Sequence, residues 1–69
     1  MTNLKRIREV SGLTQAALST ASDVNIRMVQ DYEQGHKDIN NAKAMTVYRL
    51  ADALGVDMRD LLELPSEWH

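Results

Sequence analysis

The sequence predicts an all-α fold, a compact domain of five short helices joined by tight turns. Three observations lead there. Glycines at 12, 35 and 55 each close a stretch whose apolar residues recur three or four apart, the spacing of one helix face. Residues suited to capping helix starts precede those stretches. The single proline is Pro65, and no run of alternating apolar and polar residues is long enough for a strand.

Each element has its own reason. The first helix is about Asn3–Ser11, with Leu4, Ile7 and Arg8 on one face and Gly12 ending it. Thr14 caps the second, Gln15–Ala21, through its hydroxyl, and Leu18 with Ala21 gives that helix a small apolar edge. "SDVN" leaves room only for a tight turn. Asn25 caps the third helix, Ile26–Gln34, which turns Val29 and Tyr32 inward and closes at Gly35. "HKDINN" is a polar loop with Ile39 as its apolar anchor. Asn41 caps the fourth helix, Ala42–Leu54, whose stripe of Ala44, Val47, Leu50, Ala51 and Leu54 is the strongest helical periodicity in the chain. Asp57 and Asp60 form a capping box for the fifth, Met58–Leu64, which buries Leu61 and Leu62 and stops before Pro65.

Sixty-nine residues make one domain, with a core over 4–64 and a tail at 65–69. A chain this short buries only about 60% of the surface its unfolded form exposes. Cysteine is absent and the two histidines are far apart, so neither a disulfide nor a structural zinc site is expected. No apolar run reaches a membrane-spanning length, and "MTNLKRIREV" lacks the apolar stretch of a secretory signal. The expected location is the cytoplasm. Catalysis finds no support: there is no local nucleophile–base arrangement and no phosphate-cradling glycine loop, and Asp57 with Asp60 reads as a cap rather than a paired carboxylate. No cofactor or small-molecule ligand is expected. The net charge of −2 argues against non-specific nucleic-acid binding. The charge is uneven, however. Residues 1–37 hold five basic and four acidic side chains, residues 38–69 three and six.

Two short helices joined by a tight turn and followed by glycine are the helix-turn-helix arrangement. With "IR" at 7–8, "GLTQ" at 12–15, Leu18, Val24, Val29, "YEQG" at 32–35, "RLADALGV" at 49–56 and "LL" at 61–62, the chain resembles the phage-repressor-like, or Xre-type, helix-turn-helix domains over residues 4 to 64. No single piece is specific; the ordered set at these spacings is. The resemblance implies a lambda-repressor-like fold. It implies that Gln15 opens the second helix and bonds a DNA phosphate, and that Ile26, Arg27, Met28, Gln30 and Asp31 lie on the groove-facing side of the third. It further implies that Gln34, His36 and Lys37 meet phosphates past the glycine, and that Arg8 and Glu33 form a buried ion pair. The chain departs from the family pattern in three places: Asp23 stands where the turn usually has glycine, Ile26 is apolar where polar base readers are frequent, and the stretch after Gly35 is longer.

The chemistry of the residues sharpens these expectations. Arg27 can give two hydrogen bonds to guanine O6 and N7; the plainer reading is a phosphate contact or a solvated arginine. Gln30 suits adenine or a phosphate one turn along. Asp31 can accept from cytosine, but at i, i+4 from Arg27 it is expected to orient that arginine. Ile26 faces a thymine methyl, whereas Met28 either does so or packs on the second helix. Base reading is thus assigned to Ile26, Arg27, Gln30 and Asp31, and phosphate contact to Gln15, Asn25, Gln34, His36 and Lys37. Arg8 and Glu33 sit on otherwise apolar faces and satisfy each other. Met45, Tyr48, Met58 and Trp68 exceed what a small core needs and are the candidates for a homodimer interface. The function expected is double-stranded DNA binding by a small transcriptional repressor that reads an inverted repeat as a homodimer. The rival is a protein-interaction module on the same fold, antitoxin-like or a phage inhibitor, whose target is a protein partner.

Overall fold

A computed structural model describes residues 1–65 and 67. Helix α1 spans Asn3–Val10, α2 Gln15–Ser22, α3 Ile26–Gln34, α4 Ala44–Leu54 and α5 Met58–Leu61, with a 3-10 turn at Ile39–Asn41 between α3 and α4. Side chains cap the starts of four of the helices. Thr2 Oγ1 accepts from the Lys5 N–H and opens α1. Thr14 Oγ1 accepts from the Ala17 N–H at 3.0 Å and opens α2. Asn25 Oδ1 accepts from the Arg27 N–H at 2.7 Å and opens α3. Asp60 accepts from the Asp57 N–H at 3.1 Å in the capping box of α5.

The helices enclose one apolar cluster. Leu4 comes from α1, Leu18 from α2, Val29 and Tyr32 from α3, Val47, Leu50 and Ala51 from α4, and Leu61 from α5. Val24 and Ile39 enter it from the links. α2 packs on both α3 and α4, α5 lies on α4, and α1 bridges α3 and α5. Helix α2 is therefore held from behind by α4 while α3 projects beside it. None of the described helices is long and apolar enough to cross a membrane.

Four expectations need correction. Ala21 is exposed, and α2 buries Ser22 instead, one residue beyond the expected end. Asn41 does not open the fourth helix, which starts at Ala44 with no side-chain cap. Asp38 sits three residues earlier, accepts from the Asn40 N–H at 2.9 Å and draws the Asn41 amide to its second oxygen at 3.5 Å. That Asx cap nucleates the 3-10 turn, and Ala42 leaves it in extended geometry. Ala44, at the mouth of α4, is exposed. The fifth helix stops at Leu61 because distant side chains take over the backbone groups beyond it. Asn3 Nδ2 donates to Leu62 O, the Asn3 N–H donates to Glu63 Oε1, and the Asn40 amide pairs with both the N–H and the C=O of Glu63, each at 2.9 Å. Leu62 is consequently extended and only half-buried.

Candidate nucleic-acid interface

The link between α2 and α3 sets the angle at which α3 projects, and serine hydroxyls hold it. Ser22 Oγ donates to Leu18 O at 2.7 Å and accepts from the Val24 N–H at 3.3 Å. Ser19 Oγ donates to Val24 O at 2.6 Å. Between them Asp23 adopts the left-handed conformation at φ 57, where glycine is commoner. Val24 is thereby driven into the core. Neither serine stood out in the sequence. Their one signal was the i, i+3 spacing of two hydroxyls that run into the expected turn.

At the far end of α3, Gly35 adopts φ 79. Its N–H reaches Tyr32 O at 3.4 Å, and the His36 N–H reaches Asp31 O at 2.9 Å, the two bonds of a Schellman closure. The Lys37 N–H shares Asp31 O at 3.2 Å. This closure turns the chain so that Gln34, His36 and Lys37 emerge together, all exposed.

Between those two ends α3 presents a mixed surface. Ile26 is 39% exposed, a large apolar side chain left in solvent. Arg27 is exposed, and its guanidinium has no hydrogen-bond or ion-pair partner among the described residues. Gln30 and Asp31 are half-buried. Met28 packs against the core, so of its two readings the structure adopts the internal one. Asp31 does not hold Arg27 in place; its Oδ1 lies 3.7 Å from His36 Nδ1, because the Schellman closure brings His36 back over the last turn.

Behind the surface sits a buried polar knot. Arg8 Nε donates to Glu33 Oε2 at 2.6 Å and Nη2 to Glu33 Oε1 at 3.0 Å, a two-pronged pair between α1 and α3. Arg8 Nη1 also donates to Leu13 O at 2.7 Å. Glu33 is 4% exposed and Arg8 9%. The hydrogen bond and charge of Glu33 raise the Arg8 pKa against the opposing pull of burial. Gln15 joins the knot from α2: its Nε2 donates to Glu33 Oε1 at 3.1 Å, while its Oε1 accepts from Gln30 Nε2 at 3.5 Å. Thr2 Oγ1 adds a bond to Glu33 O at 3.2 Å.

Thus Gln15, Asn25, Ile26, Arg27, Gln30, Asp31, Gln34, His36 and Lys37 all belong to α2, α3 and the turns that bound them. Asn25 spends its side-chain oxygen on the cap and keeps its amide N–H groups. Of the four interface candidates, Met45 and Tyr48 lie one turn apart on α4, 58% and 51% exposed. Met58, the first residue of α5, is half-buried and packs against the core. Trp68 lies outside the described residues. A family model described as helix-turn-helix matches residues 4–61 of the chain. No curated protein and no solved structure matches it.

Proposed function

The chain belongs to the Xre-type, phage-repressor-like helix-turn-helix family of DNA-binding transcription regulators, and on that premise we propose that it is a repressor reading an inverted-repeat operator as a homodimer. The observation that carries this reading is the joint exposure of Ile26, the unpartnered Arg27, Gln34, His36 and Lys37 around one rigidly capped helix. Laid in the major groove, α3 sets Arg27 against a guanine edge and Ile26 against a thymine methyl, with Gln30 and Asp31 one turn further in. Gln15 and Asn25 at two helix starts, and Gln34, His36 and Lys37 past Gly35, bracket the phosphates.

The homodimer follows from magnitude. A monomer with about three phosphate contacts has a salt slope near −2.7 and too little affinity at cellular salt. A two-fold pair doubles the contacts and spans half-sites about 34 Å apart. Exposed Met45 and Tyr48 supply an apolar patch on α4 for the second copy. One observation favours a second reading: the groove-facing side carries an exposed apolar Ile26 and a carboxylate at Asp31, which also suits a protein partner.

Selection from a random duplex pool at about 100 mM salt separates the two. The expected outcome is an inverted repeat whose affinity falls tenfold or more in Arg27→Ala. Absence of any enriched sequence refutes the regulator and leaves the protein-interaction module.

A further inference from the structure

We propose that the buried Glu33 carboxylate dictates, through Gln15, which atoms Gln30 shows to a base, so that Gln30 selects a base carrying an amino group. This rests on the DNA-reading role given above to α3 and adds the chemical class that one position recognises.

A side-chain amide has two ends, an oxygen that accepts and a nitrogen that donates, and an isolated glutamine can present either. Gln15 has no such freedom. An ionised carboxylate only accepts, and Glu33 Oε1 is 3.1 Å from the Gln15 amide, so the end facing it must be Nε2. Glu33 itself cannot turn away, because Arg8 grips both of its oxygens, at 2.6 and 3.0 Å. The other end of Gln15 is therefore the oxygen, and it meets the Gln30 amide at 3.5 Å. An oxygen without hydrogen requires a donor, so Gln30 must turn Nε2 inward. Its Oε1 is left outward, and that oxygen has no partner among the described residues.

The order of donors and acceptors thus runs in one direction from Arg8 to Glu33, Gln15 and Gln30, and ends on a free acceptor at the reading surface. In the major groove the complementary donors are the amino groups of adenine N6 and cytosine N4, whereas guanine O6 and thymine O4 would set oxygen against oxygen. Each glutamine also keeps a second N–H: that of Gln15 remains for a phosphate, and that of Gln30 lies beside its oxygen and completes a two-bond match to adenine N7 and N6. Arg8, Glu33 and Gln15 are positioning residues in this scheme, and only Gln30 touches the base.

Two measurements test the relay. In the free protein, the side-chain NH2 resonances of Gln15 and Gln30 should be shifted and protected from solvent exchange, and the protection of Gln30 should vanish in Gln15→Leu. A Gln30 amide that exchanges like a free one, or that is unchanged in Gln15→Leu, overturns the relay whatever the DNA result. In duplex selection, the position read by Gln30 is the one whose preference disappears in Gln30→Ala. There the natural chain should favour amino-bearing bases about tenfold. Gln15→Leu should bring that position to parity while the Arg27 position keeps its preference, although overall affinity falls with the lost phosphate contact. An amino preference that survives Gln15→Leu refutes the proposal and leaves DNA reading intact. A pool with no enriched sequence refutes the DNA-reading role, and the resonances of the free protein still decide the relay.

Discussion

Arg27 and Glu33 stand six residues apart on one helix and serve opposite ends. Arg27 has no internal partner, so replacing it should leave folding alone. Arg27→Ala should keep its melting temperature within a degree or so of the natural chain, as surface changes do, while operator affinity falls by about 1–3 kcal/mol. Glu33 is the reverse case. Glu33→Ala or Arg8→Ala strands a buried charge and should cost about 3–5 kcal/mol in denaturant unfolding. The sign of any pH effect from Arg8 is fixed. Its pKa is raised above the ordinary arginine value, so its contribution is fully present below that value and is lost only as pH rises through the higher folded one. Melting curves across the neutral range should therefore show no slope from Arg8. The pair was legible in the sequence because two charges lay on apolar faces of short helices. The partner of Asp31 was not. Spacing pointed to Arg27, whereas the turn after Gly35 decides the matter by folding His36 back over the helix.

At the scale of elements, the α2–α3 turn sets the aim of α3, and Ser22 is its lock. Ser22→Ala removes the acceptor of the buried Val24 N–H and should destabilise the fold by about 1–3 kcal/mol. DNA affinity measured well below the melting point should also fall, since α3 loses its fixed angle; a variant that is less stable but binds unchanged would show that the angle is held elsewhere. Helix starts at Thr14 and Asn25 and the glycine ends were readable, because each depends on residues within one turn of itself. The boundaries that could not be read depend on competition or on distance. Asn41 is a good cap by type, but Asp38 reaches the backbone first and makes a 3-10 turn. The end of α5 depends on Asn3 and Asn40, 59 and 23 residues away along the chain from the groups they bond, and no local pattern announces them.

For the whole molecule, the acidic side chains of the last third belong to α4, the cap and body of α5 and the residues beyond it, while the cations proposed to meet DNA lie on α3 and just after it. An overall charge of −2 is thus compatible with reading DNA, provided that the contacts are few and specific. The consequence is measurable. If two copies share one operator, the logarithm of affinity should fall with the logarithm of salt with a slope of about −5, against about −2.7 for a single copy. Replacing exposed Met45 and Tyr48 with glutamate should convert the first slope to the second and halve the particle mass in solution. A wild-type monomer on and off DNA would refute the pairing. The amide clasp of Asn3 and Asn40 on Leu62 and Glu63 carries one more implication, for the order in which the chain comes into being. During synthesis residues 14–37 leave the ribosome well before residue 63. Helix α1 can dock on α3 through Arg8, Thr2 and Glu33 as soon as α3 exists, but its hold on Leu62 and Glu63 must wait for the end of α5. Helix α1 is therefore secured in two steps, first on the third helix and last on the segment beyond the fifth.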